Sequence, residues 1–72
     1  MRREEVKNFL TKYKPPFRII TRKGTIITCV GIIELKEYSI IFRDRFEMTV
    51  VQELDDISTL QTFNGKKQVN IK

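Results

Sequence analysis

Histidine and tryptophan are absent from this 72-residue chain, cysteine occurs once, and no apolar run comes near the ~18–20 residues that cross a bilayer. A lone Cys29 cannot close an internal disulfide, and without histidine the Cys/His zinc sites that staple very small folds are missing too. Met1-Arg2-Arg3-Glu4-Glu5 is not followed by the uninterrupted apolar segment of a signal peptide, so a cytoplasmic protein with no membrane association is expected. A chain this short buries only ~60% of the surface its unfolded form exposes, which leaves a margin of roughly a few kcal/mol from its own core. Self-association is the remaining source of help.

The chemistry of an enzyme is also thin. Cys29 sits inside an apolar stretch with no histidine to activate it and reads as a buried small hydrophobe. Glu53, Asp55 and Asp56 form the one acidic cluster, and a solvated turn explains it better than a metal site does. Gly24, Gly31 and Gly65 have the wrong spacing for a phosphate-binding loop. Neither catalysis, a cofactor nor a bound metal is expected.

What the chain does have is positive charge, unevenly placed. Residues 1–23 hold eight Lys/Arg against two Glu, residues 24–63 hold three against seven Asp/Glu, and residues 64–72 add three Lys. Both ends are basic around an acidic middle. A localised basic surface attracts nucleic acid or anionic lipid, and it also serves as a solubilising shell.

Val6, Phe9, Leu10 and Tyr13 fall at i, i+3, i+4 and i+7, which predicts an amphipathic helix over about 3–14, stopped by Pro15-Pro16. From Phe17 the period changes to that of strands. Phe17–Thr21 is a first strand, Arg22-Lys23-Gly24 a tight turn, and Thr25–Leu35 a second strand long enough to need a bend, for which Gly31 is the candidate. Lys36-Glu37 turns the chain into Tyr38–Arg43, Asp44-Arg45-Phe46 turns it into Glu47–Leu54, and Asp55-Asp56 connects to Ile57–Phe63. The expectation is a mainly β fold: one domain over residues 1–72, with a helix and a strongly bent five-stranded antiparallel open barrel of SH3-like form over about 17–63. Asn64-Gly65 is a hairpin signal, so residues 64–72 form either a sixth strand or an ordered tail.

The order helix, Pro, strand, x-x-Gly turn, long bent strand, two-residue turn, strand, then Asp56-Ile57-Ser58-Thr59-Leu60 resembles the Sm-like (LSm) family, in element order its bacterial Hfq branch. The match covers about Val6–Gln61, with Gly24 on the glycine of the family's first motif and Leu35-Lys36-Glu37-Tyr38-Ser39 on the turn that ends it. The resemblance implies a homo-oligomeric ring of about six or seven subunits that binds single-stranded RNA, closed by pairing the strand edges at Glu47–Leu54 and Ser58–Phe63. It places Tyr38 at the position that stacks on a base. Lys36 stands where the family has an acidic residue, Ser39 where Sm proteins have an asparagine, and Leu54-Asp55 or Asp55-Asp56 where a basic pair is usual. Lys12 and Lys14 match two positions of a basic rim patch, and Arg3 falls near a contact position at the helix start. Arg22 and Lys23 at the first strand turn are further candidates for phosphate, or simply a solvated tip, and Tyr38 also reads as a half-buried strand aromatic. Loss of the usual pocket residues keeps a second expectation open, a structural or protein-interaction ring. A monomer would instead suggest an SH3-like module for peptides or duplex DNA.

Overall fold

The computed structural model describes residues 1–64 and 67–71, with side chains through residue 63. Helix α1 (Arg3–Lys12) starts where the Arg2 N–H donates to Glu5 Oε1 at 2.9 Å. Glu4 and Glu5 lie in its first turn and Lys12 in its last, as the helix dipole favours. Val6 and Phe9 are buried, with Leu10 and Tyr13 packed on the same core, so the expected stripe is the seating face. Phe9 meets the Phe17 ring edge-on, 5.0 Å between centroids, and lies 4.9 Å from Tyr13. The helix ends at Lys12 rather than about residue 14. Tyr13 is already extended (φ −128°, ψ 135°), although its N–H still donates to the Phe9 carbonyl at 2.9 Å. Pro15 disfavours helix at Lys14, and the extension begins one residue earlier.

Six strands follow: β1 (Phe17–Thr21), β2 (Ile26–Leu35), β3 (Ser39–Asp44), β4 (Thr49–Glu53), β5 (Ile57–Asn64) and β6 (Lys67–Ile71). They form one antiparallel sheet in the order β4-β3-β2-β1-β5-β6. In β1 the alternation is strict, with Phe17, Ile19 and Thr21 buried and Arg18 and Ile20 half-buried on the outer face. Gly24 takes φ +90° in the β1–β2 turn, where its N–H donates to the Thr21 carbonyl at 3.0 Å. Strand β2 bends as its length requires. Its register against β3 slips between Cys29 and Gly31 and again between Ile32 and Glu34. Such bulges sharpen twist and let the inner faces of β1, β2, β3 and β5 meet in one core, built on Phe17, Ile19, Cys29, Ile40, Phe42, Ile57 and Leu60 with Leu54 of the following turn, while Val50 of β4 packs against it half-buried.

Two further turns shape the molecule. After β3, Asp44 Oδ1 accepts from the N–H groups of Phe46 and Met48, each at 2.9 Å, and Glu47 sits at φ 62°. After β4, a single 3-10 turn, Leu54–Asp56, buries Leu54 and leaves Asp55 and Asp56 exposed.

The five expected strands are followed by β6, the first of the two forms expected for residues 64–72. β6 pairs along β5 from Leu60↔Ile71 to Asn64↔Lys67, so the edge expected to be free at Ser58–Phe63 is covered from within the chain. Hydrogen-bonding groups left open on β5 find partners at short loop cost once a hairpin follows. The turn residues 65 and 66 lie outside the described residues. The sheet does not close on itself, and its two free edges are β4 and β6.

Candidate nucleic-acid interface

The sequence candidates divide between three places. Arg3, Lys36, Tyr38 and Ser39 come together. Arg3 Nε donates to the Lys36 carbonyl at 3.1 Å, the Lys36 N–H donates to the Ser39 carbonyl at 2.8 Å, and the Leu54 N–H donates to the Tyr38 carbonyl at 2.9 Å. The helix start is tied to the same end, because the Met1 amino group donates to the carbonyls of Leu54 (2.7 Å) and Ile57 (3.1 Å). Tyr38 is not half-buried: its side chain is 77% exposed. Ser39 is half-buried and pairs with Glu53 across the β3–β4 ladder.

Arg22 and Lys23 are exposed on the β1–β2 turn, and the Arg22 N–H donates to the Asp56 carbonyl at 2.7 Å. The 3-10 turn therefore lies between this pair and Tyr38, with Asp55 and Asp56 facing solvent there. Lys12 and Lys14 are exposed at the opposite end of α1, and nine residue steps put Lys12 about 14 Å from Arg3 along the axis. They form a separate basic point and not an extension of the Tyr38 end.

A second surface went unseen in the sequence. On the outer face of the sheet, the Arg18 guanidinium carbon lies 4.7 Å from the centre of the Phe63 ring, and Arg45 stands 4.8 Å over Phe46. Arg18, Ile26, Thr28, Arg45 and Phe46 line one shallow groove. Phe46 is 70% exposed and Phe63 40%. Asp44 lines the groove too, but one of its oxygens is already engaged by two backbone amides. A guanidinium lying on a ring offers a flat cation that can stack on a base and bond a phosphate together. The signal for Arg18 was present: it is a lone charge in a five-residue strand whose alternate residues point inward. Its ring partner, 45 positions away, was not readable.

Cys29 lies in the core, its Sγ 3.7 Å from the Gly31 carbonyl, and burial pushes its thiol up to about 11 from the usual 9.0. At neutral pH it is a protonated, inert side chain. Among the described residues, no group of three His, Cys, Asp or Glu side chains could hold a metal ion, and no helix is long and apolar enough to cross a membrane. No family model, curated protein or solved structure matches the chain.

Proposed function

We propose that this chain is a single-stranded RNA-binding module of the Sm-like kind, a helix seated on a small SH3-like barrel, working without catalysis as an assembly of several copies. The observation that carries the reading is Tyr38: a ring 77% exposed, on a turn tied to Leu54, beside Arg3 and Lys36. An aromatic left in water contributes nothing to its own core, and with cations beside it the ring is suited to stack on a base while the cations meet phosphate. The Arg18–Phe63 and Arg45–Phe46 stacks, the latter past the other end of β3, offer a second place where a strand can meet rings and cations. Asp55 and Asp56, together with Ser39, make a poor uridine pocket, so base discrimination is weak.

Fluorescence anisotropy with labelled oligo-uridine and oligo-adenosine over a range of salt tests this. Binding to both, falling steeply with salt, is expected. Tyr38→Ala should weaken it roughly 5- to 150-fold, equivalent to the ~1–3 kcal/mol of one stacked base, with the salt slope unchanged. Absence of binding at low salt would end the RNA reading. It would favour a protein-interaction assembly, for which the exposed Val51 and Met48 beside the free β4 edge already speak.

A further inference from the structure

We propose that the groove on the outer face of the sheet prefers guanine, read by the Asp44 carboxylate from a base stacked on Phe46, a selectivity that rests on the single-stranded RNA reading above and adds a base-reading residue to it.

Asp44 closes β3, and its Oδ1 accepts the N–H groups of Phe46 and Met48, each at 2.9 Å. The Asp44 N–H donates to the Met48 carbonyl at 3.0 Å and the Glu47 N–H to the Asp44 carbonyl at 2.9 Å, so side chain and backbone are held together. One side-chain oxygen is all that this turn needs, and an asparagine supplies it as well as an aspartate does. The second oxygen is surplus to the turn. Oδ2 accepts no hydrogen bond from the described residues, and it is not among their buried atoms without a partner, so it meets solvent in the groove that Asp44 helps to line.

Phe46 sets the place of the base. Arg45 lies over one face of its ring at 4.8 Å, and a ring 70% exposed leaves its other face to stack on a base. Because the Phe46 N–H itself holds the carboxylate, the edge of a base on that ring lies within reach of Oδ2. An ionised carboxylate only accepts hydrogen bonds. Guanine presents two donors side by side on its Watson–Crick edge, N1–H and the N2 amino group, and a carboxylate accepts both in charge-assisted bonds. Adenine and cytosine set one amino group beside a ring-nitrogen lone pair, and uracil sets its N3–H between two carbonyls, so each of these turns an acceptor towards the carboxylate. Arg18 and Arg45 supply the positive charge that keeps a phosphate backbone beside Asp44. Discrimination therefore falls to the groove and not to the Tyr38 end.

The test is fluorescence anisotropy with labelled oligo-uridine carrying one central guanosine, inosine or adenosine, on the full chain and on Asp44→Asn, with melting temperatures as the check of fold. The wild type should favour guanosine over adenosine roughly 5- to 30-fold, with inosine, which lacks the N2 amino group, between them. Asp44→Asn keeps an acceptor for the two turn N–H groups but puts an amide N–H donor in place of Oδ2. It should lose the guanosine preference while binding the adenosine oligomer at least as tightly as the wild type, since a negative charge beside phosphate is gone. The preference should survive Tyr38→Ala. Equal binding of the three oligomers by the wild type would overturn the guanine preference and leave RNA binding standing. A preference kept in Asp44→Asn would overturn the role of the carboxylate, and one abolished by Tyr38→Ala would move base reading to the other end of β3. No binding of any oligomer at low salt would overturn the RNA reading itself and this selectivity with it.

Discussion

At the Tyr38 end, the cations Arg3 and Lys36 share their surroundings with the carboxylates of Glu37, Glu53, Asp55 and Asp56, all exposed. On the outer face of the sheet, Arg18 and Arg45 each lie over a phenylalanine, and the one carboxylate in their groove, Asp44, accepts two backbone N–H groups. Both places offer aromatic rings and basic side chains. They differ in how those groups are held and in the sign of what stands next to them. A run of charges along the chain says little about surface potential, because cross-strand neighbours set it. The basic N-terminal third sends its cations to four separate places, and its one pairing with a ring comes from Arg18, inside a strand.

The two surfaces also depend on different parts of the fold, which a single core substitution should expose. Phe9 is buried between Tyr13 and Phe17 and seats α1, which in turn brings Arg3 to Lys36. Phe9→Ala should cost ~3–5 kcal/mol, the usual toll of truncating a buried aromatic, read from urea unfolding. In the fraction that stays folded, the Tyr38 end is disorganised while β1, β2 and β5 keep the outer face. A double-mutant cycle measures this. Tyr38→Ala should have little further effect on RNA affinity in the Phe9→Ala background, and Arg18→Ala should keep its full effect. Equal loss of both effects would show that the surfaces are one unit.

Next in size is the contribution of the arginines themselves. If Arg18 and Arg45 each meet one phosphate, removing both should flatten the plot of log affinity against log salt by about 1.4, at ~0.7 per single-strand phosphate contact. The same experiment on Lys12 and Lys14 gives the comparison, since those lysines stand apart from any exposed ring. A change of slope only for the lysine pair would move the RNA path from the sheet to the helix end.

How much of this could be read in advance follows from the range of the interactions. The helix stripe, the positive φ at Gly24 and the bend near Gly31 are local or periodic features, legible because a residue's neighbours within four positions dictate them. Arg3, Lys36 and Tyr38 were named individually, yet their convergence depends on Leu54 and the Met1 amino group, more than 50 positions apart. The Arg18–Phe63 stack depends on β1 and β5 being neighbours, with Arg18 opposite Gln61. Nothing in either segment announces the other. β6 was legible as one outcome of the Asn64-Gly65 turn signal, but not the edge it would cover.

Cys29 gives a smaller effect that separates the sheet from the Tyr38 end. It pairs with Phe17 and with Asp44 across the ladders, directly in the strands that carry the outer face. Its thiol titrates near 9.0 when unfolded and at about 11 when folded. The raised value means that the stabilisation by the neutral buried thiol is complete below pH 9 and is lost as pH climbs from 9 to about 11. Urea midpoints should fall over that window, and Cys29→Val should remove the thiol's share of the fall. At pH 8 a thiol-reactive dye should label the folded chain slowly and the urea-unfolded chain fast.

The smallest expected effect concerns Thr62, on the inner face of β5 next to the Phe63 that carries the Arg18 stack. Its hydroxyl is buried with no hydrogen-bond partner among the described residues, whereas the Thr21 hydroxyl, also buried, accepts the Thr25 N–H at 3.1 Å. An unsatisfied buried hydroxyl costs free energy that a methyl group of the same shape does not. Thr62→Val should therefore stabilise the fold by about 1 kcal/mol, seen as a rise of about 4–8 °C in melting temperature. Thr21→Val, the same chemical change in β1, should have the opposite sign, because it leaves a turn N–H without its acceptor. Since neither hydroxyl lies on a binding surface, RNA affinity at the Tyr38 end and on the outer face should both hold in Thr62→Val. A fall in affinity together with a gain in stability would mean that the position of Phe63 is set by Thr62, joining the inner packing of β5 to its outer surface.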